Sequence, residues 1–192
     1  MSKIILVTGG ARSGKSLFAE KYAYQTGTKI AYIATAQIYD NEMKTRVDIH
    51  RSRRPAEWKT FEAPYAAEQA IAEAATTADT ILFDCLTIYT SNLLLAQTAP
   101  IDKADRYQSV KQAINRLIKS VESVNSTVIF VTNEVGMSIV PENALAREYR
   151  DLAGMVNQMV AASAHEVYLV VSGIPVNIKA LAVKLAEEER NG

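Results

Sequence analysis

Short apolar runs alternate along the chain with longer stretches in which apolar residues recur every three or four positions. The first run, Ile4-Ile5-Leu6-Val7-Thr8, is uncharged and rich in β-branched residues, as a strand covered on both faces would be. Leu17 to Ala23 reads as a helix, and Thr26-Gly27-Thr28 ends it. Lys29 to Thr35 predicts a second strand. Asp40 to about Arg53 predicts a helix, with Asp40 or Asn41 as N-cap and Pro55 beyond its end. An extended piece from Trp58 to Glu62 precedes a helix over about Tyr65 to Ala75. Thr80 to Asp84 reads as a third strand, followed by helices over Leu86–Ala96 and Ala104–Val124. Thr127 to Val131 is a fourth strand, Leu145 to Ala164 a long helix, and Glu166 to Val171 a fifth strand. A helical tail is expected after Pro175. Strands alternating with helices predict an α/β fold with a mostly parallel sheet flanked by helices.

Chemistry enters between the first strand and the first helix. Gly9-Gly10-Ala11-Arg12-Ser13-Gly14-Lys15-Ser16 fits GxxxxGK[ST] at every fixed position, with strand before and helix after. Each residue type has a physical task in a phosphate-binding loop. Gly9 and Gly14 allow backbone angles that a Cβ would hinder, so that successive N–H groups can turn onto an anion. The helix start adds free donors and the positive end of its dipole. Lys15 can reach the β- and γ-phosphates of a nucleotide, and the Ser16 hydroxyl can ligate Mg²⁺.

Composition narrows the setting. A chain of 192 residues, 48% hydrophobic and 22% charged, is expected to form one domain over 1–192 with a substantial core. Lys+Arg and Asp+Glu balance at 21 each, which argues against an extended nucleic-acid or membrane surface. No apolar run is long enough to span a bilayer, and Lys3-Ile4-Ile5-Leu6-Val7 leads straight into the loop with no signal-like segment. The single cysteine, Cys85, fits a cytoplasmic setting.

Three further features are candidates for the site. Asp84 closes an apolar strand downstream of the loop, where P-loop enzymes place an acid that helps hold Mg²⁺. An ordinary strand-end aspartate capping the next helix has the same pattern. On the predicted Asp40–Arg53 helix, Met43, Val47 and His50 share one face, which fits a partly buried structural histidine. Arg46, Arg51, Arg53 and Arg54 surround it, however, and arginine forks match phosphate oxygens. A histidine among them is a candidate nucleophile at phosphorus. His165, the other histidine, reads as structural. Asn133-Glu134-Val135-Gly136 lacks the Lys and Asp of a GTPase guanine reader, and 136–143 reads as a functional loop at the sheet edge.

Together these residues resemble one family. The resemblance is carried by Thr8 to Ser16, Tyr32-Ile33-Ala34-Thr35-Ala36, Glu42-Met43 with Arg46 and His50, and Arg54-Pro55-Ala56-Glu57-Trp58. It continues through Val131 to Gly136, Val140-Pro141-Glu142-Asn143, Arg150-Asp151 and Val156-Asn157-Gln158. The chain is similar, from Ile4 to about Lys179, to the bifunctional adenosylcobinamide kinase / adenosylcobinamide-phosphate guanylyltransferases of cobalamin biosynthesis. The resemblance implies a RecA-like P-loop fold, a homotrimer, and two reactions: phosphorylation of adenosylcobinamide by ATP or GTP, then transfer of GMP from GTP to that phosphate. It implies a guanylylated histidine at His50. It also implies nucleotide contacts at Gly9 to Ser16, Ala34-Thr35-Ala36, Arg51-Ser52-Arg53-Arg54, Glu62 and Asp84. At Asp84 the family often has Glu, which keeps the carboxylate on a longer arm.

Two other functions remain compatible with the loop alone. A monofunctional P-loop kinase for a small hydroxylated metabolite would leave His50 structural. A RecA-like nucleotide-dependent module acting on nucleic acid would need a basic stripe with interleaved aromatics, which the sequence lacks.

Overall fold

A computed structural model describes residues 2–37, 55 and 57–183. In chain order the elements are β1 (Lys3–Thr8), α1 (Lys15–Thr26), β2 (Ile30–Ala34), β3 (Lys59–Glu62), α2 (Ala67–Ala74), β4 (Thr80–Asp84), α3 (Leu86–Leu95), α4 (Lys103–Glu122), β5 (Thr127–Val131), α5 (Ala144–Ser163), β6 (Glu166–Val171) and β7 (Ile174–Asn177). A short 3₁₀ turn, Lys179–Leu181, follows. The strands form one seven-stranded sheet in the order β3-β2-β4-β5-β1-β6-β7. Every pair is parallel except β6 with β7.

Period-two alternation explains how one sheet builds two cores. Ile4 and Leu6 of β1, Ile81 and Phe83 of β4, and Val128 and Phe130 of β5 face α2, α4 and α5. Their neighbours Ile5, Val7, Leu82, Ile129 and Val131 face the opposite way, chiefly onto Ala19 and Ala23 of α1. Strands covered on both sides have no polar face to show, hence their unbroken apolar sequences.

The long helices begin where their caps place them. The Asp102 carboxylate accepts from the Ala104 and Asp105 amides at 2.8 and 3.2 Å, and Asn143 Oδ1 accepts from the Ala146 amide at 3.1 Å. Helix α4 buries Val110, Ala113, Ile114, Leu117, Ile118 and Val121, a stripe at helical spacing. Arg106 grips Glu148 with two parallel bonds of 2.9 and 3.0 Å, which ties α4 to α5.

Two expectations change. The piece from Trp58 is a true strand, β3, starting at Lys59. Residues 174–177 are strand β7, at the expected start of the helical tail, with Val170 opposite Pro175 and Tyr168 opposite Asn177; residues 184–192 of that tail lie outside the described residues. Pro175 is tolerated because β7 is an edge strand, where a missing N–H can face outward. The predicted Asp40–Arg53 helix, with its N-cap, lies outside the described residues.

Candidate functional site

The carboxyl ends of the parallel strands form one rim, and the predicted residues that the structure describes gather on it. The Gly9–Ser16 loop leaves β1 and enters α1 at Lys15. Ala34 ends β2 in register with both Glu62 of β3 and Asp84 of β4, and Asp84 is opposite Val131 of β5. With strands ~4.8 Å apart, the Asp84 backbone lies two strands, about 10 Å, from that of Val7, while Glu62 lies four strands, about 19 Å, away. Asp84 is therefore placed beside the phosphate loop and Glu62 well beyond it.

The loop is shaped by backbone angles that most residues avoid. Gly9 has φ +154° and Gly14 +94°. A Cβ on Gly9 would fall 2.4 Å from the Val170 carbonyl oxygen, so both conformation and space call for glycine there. Arg12, at φ +56°, takes the left-handed conformation without being glycine. A residue held in this way marks stored strain of about 1–3 kcal/mol, typical of ligand-binding loops. The Ser13 amide donates to the Gly10 carbonyl at 3.3 Å, and Lys15 Nζ donates to the same oxygen at 3.0 Å. Partial burial lowers the Lys15 pKa, opposed by the adjacent Cys85 and the Asp84 carboxylate. A desolvated ammonium folded onto its own loop is poised for an incoming anion. Among the described residues, the hydroxyls of Thr8 and Ser13 are buried without a hydrogen-bond partner. Such groups are uncommon in native interiors.

Asp84 is oriented rather than loose. Tyr32, buried on the neighbouring strand, donates its hydroxyl to Asp84 Oδ2 at 2.8 Å. It does not cap α3, whose N-cap is Cys85 with no side-chain capping bond. Thr35 binds the same corner. Fully buried, it donates from Oγ1 to the Cys85 carbonyl at 3.0 Å and accepts the Cys85 amide at 2.9 Å. Its amide meets the Asp84 carbonyl at 3.2 Å, and its carbonyl takes Asn92 Nδ2 at 2.8 Å. The Thr35 side chain is thus spent on joining the exits of β2 and β4. Ala34 and Ala36, half-buried on either side, stand at the rim.

The exit of β5 is fixed comparably. Thr132 donates to Asn157 Oδ1 at 2.7 Å, and Asn157 Nδ2 donates to the Asn133 carbonyl at 3.1 Å. The Glu134 amide donates to the Gly9 carbonyl at 3.1 Å, joining this exit to the phosphate loop. His165 is structural as expected, its Nδ1 accepting the Ile4 amide at 3.0 Å. His50, Arg46, Arg51, Ser52, Arg53 and Arg54 lie outside the described residues. Sequence reasoning missed Tyr32 and the internal work of Thr35. Tyr32 carries a signal, since an inward Tyr on a buried strand needs a partner for its hydroxyl.

Fold and loop define a P-loop nucleotide-binding protein with a RecA-like sheet. The fold is similar to that of a solved ATPase of a type III secretion system from pathogenic bacteria, with a TM-score of 0.56 at 12% identity over 95% of this chain and 59% of that one. The chain belongs to the cobinamide kinase / cobinamide phosphate guanyltransferase family, whose model matches residues 5–178. It is 46% identical over 181 residues to the bifunctional adenosylcobalamin biosynthesis protein CobU of Escherichia coli, covering 92% of this chain and 99% of the relative. The Salmonella typhimurium CobU matches to the same extent. The bifunctional adenosylcobalamin biosynthesis protein CobP of Pseudomonas aeruginosa is 39% identical over 174 residues, 91% of this chain and 96% of the relative.

Proposed function

We propose that this enzyme phosphorylates the aminopropanol hydroxyl of adenosylcobinamide with ATP or GTP, and then transfers GMP from GTP to that phosphate. The observation that carries the reading is the phosphate loop: its positive φ angles, the Lys15 contact with Gly10 and the unpartnered Thr8 and Ser13 hydroxyls suit a bound polyphosphate. Family membership supplies the acceptor.

In the first step Lys15 and the amides of Gly9 to Ser16 hold the triphosphate and neutralise charge as the acceptor oxygen bonds the γ-phosphorus and gives up its proton, the bond to the β-phosphate oxygen breaks, and the nucleoside diphosphate leaves. Ser16 and Asp84 are the candidate Mg²⁺ ligands. Two hard oxygens suit an ion that is held by few protein groups and by substrate phosphates. Bound Mg²⁺ supplies charge neutralisation at the phosphate oxygens.

In the second step a neutral His50 imidazole nitrogen attacks the α-phosphorus of GTP. A P–N bond forms, the α–β P–O bond breaks, and pyrophosphate leaves. The phosphate oxygen of adenosylcobinamide phosphate then attacks the same phosphorus. The P–N bond breaks, His50 is released, and adenosylcobinamide-GDP is formed. Arg51, Arg53 and Arg54, with Ser52, hold the nucleotide near His50, and Glu62, remote from the phosphates along the rim, faces its distal end. The protein acts as a cytoplasmic homotrimer without nucleic acid or membrane partners.

Incubation with α-labelled GTP tests the reading. The wild type takes up label in an acid-labile, alkali-stable linkage. His50→Ala takes up none and makes no adenosylcobinamide-GDP, yet still phosphorylates adenosylcobinamide. Labelling of His50→Ala would place the nucleophile elsewhere. An unlabelled wild type with intact kinase turnover would leave a monofunctional kinase.

A further inference from the structure

The β6–β7 hairpin lies at the edge of the sheet, yet its turn reaches the phosphate loop. Ser172 and Gly173 are the two turn residues, with φ of +51° and +81°. Paired positive angles suit a two-residue hairpin, because their twist matches that of the strands. The Gly173 amide donates to the Ser13 carbonyl at 2.8 Å. A Cβ on Gly14 would lie 3.1 Å from Gly173 Cα, so loop and turn run against each other with no side chain between. One strand position earlier, the Val170 carbonyl closes on Gly9. The hairpin therefore touches the loop at its first and last glycines and bonds it between them.

That bond has a directional consequence. In a planar trans peptide the C=O and the following N–H point opposite ways. Drawing the Ser13 carbonyl onto Gly173 turns the Gly14 N–H away from the hairpin. On the other flank, the Glu134 amide holds the Gly9 carbonyl and so turns the Gly10 N–H away from the β5 exit. Donors for an anion have to be aimed before the anion arrives, since reorienting them on binding would cost affinity.

We infer that the Ser172-Gly173 turn is a positioning element for the nucleotide: the Gly173 amide fixes the Ser13–Gly14 peptide of the phosphate loop, and through it the affinity for the phosphate chain. The inference rests on the nucleotide-binding reading of that loop and adds to it a residue that touches no substrate.

The test uses GDP, which occupies the loop without supplying a transferable γ-phosphate. Nothing lies within 4 Å of a Cβ built on Gly173, so Gly173→Ala strains the turn without a collision. Gly173→Asn is the milder change, because Asn tolerates the left-handed region. Calorimetry is expected to give GDP binding about tenfold weaker in Gly173→Ala, the scale of a left-handed penalty, with Gly173→Asn in between. The nucleotide KM should rise in the same order while kcat stays within about twofold, the mark of binding lost equally from ground and transition states.

A second measurement is independent of any variant. Coupling is reciprocal, so saturating GDP should slow hydrogen exchange at the Ser172 and Gly173 amides of the wild type. Wild-type GDP affinity in a folded Gly173→Ala protein would overturn the inference. So would turn amides that exchange equally fast with and without GDP while the loop amides slow. If the wild type itself bound no GDP, the nucleotide-binding reading of the loop would fail instead.

Discussion

The two rims of the sheet are built from the same strands and differ in what they leave undone. At the amino rim, the carboxylates are saturated. The Asp79 carboxylate takes the amides of Thr28 and Lys29 at 3.1–3.3 Å and the Thr28 hydroxyl at 2.6 Å. Glu166 takes Lys3 at 2.6 Å and the hydroxyls of Tyr22 and Tyr168 at 2.8 and 2.6 Å. At the carboxyl rim, the Thr8 and Ser13 hydroxyls are unpartnered and Lys15 is partly desolvated. Every described positive-φ residue is on that side too: Gly9, Arg12 and Gly14 after β1, Ala66 after β3, Ser172 and Gly173 after β6. Backbone strain is thus concentrated on one rim, and the carboxylate networks of the other stabilise the sheet that bears it.

Lys15→Ala should widen this division most. Among the described residues its ammonium hydrogen-bonds only the loop's own Gly10 carbonyl, so the fold survives and the melting temperature scarcely moves. Turnover in both reactions should fall by at least about 10²–10³, the loss seen when a transition-state donor is removed. Near-normal kinase turnover would dissolve the functional contrast between the rims.

Asp79→Ala is the mirror experiment. It strips the partners from two amides and a hydroxyl and should cost about 1–3 kcal/mol in urea unfolding, with kinase turnover per folded molecule unchanged. A loss of turnover with stability intact would show that the amino rim is not merely supportive.

The smallest effect concerns acid. Burial tends to raise the Glu166 pKa, but the bonds from Lys3, Tyr168 and Tyr22 outweigh it and bring it down to about 2. A depressed folded-state value stabilises above the unfolded one, near ~4.3, and that contribution is lost as pH falls from there toward about 2. In acid titrations followed by circular dichroism, Glu166→Gln should flatten that limb and leave neutral-pH behaviour the same in slope. An unchanged acid limb would remove Glu166 from the amino-rim account.

How much of this could be read in the sequence depends on whether the cause is local. The strands of the sheet centre announce themselves because burial on both faces demands unbroken apolar runs such as Thr127-Val128-Ile129-Phe130-Val131. The phosphate loop is legible because its glycines and Lys15 answer to local geometry. β7 was hidden because Pro175 argues against a strand until its edge position is known. Tyr32 meeting Asp84 depends on register between strands 50 residues apart in the chain, as does the Thr35 bond to Cys85. Gly173 carries a turn signal, but nothing in Ser172-Gly173 says that the turn will land on Ser13. His50 and the Arg51–Arg54 cluster rest on sequence and family alone.

Cys85 gives the protein an internal timer. The thiol sits buried one residue beyond Asp84, and its pKa is pushed up to about 12, first by burial and then by the Asp84 charge. A nucleophilic thiolate is therefore almost absent at neutral pH, and burial leaves an alkylating reagent little access to it. Modification then proceeds chiefly through local openings of the carboxyl rim around Cys85. With no second cysteine to confuse the signal, each alkylated chain records one such opening. A ligand that holds the rim shut would lengthen the interval between them.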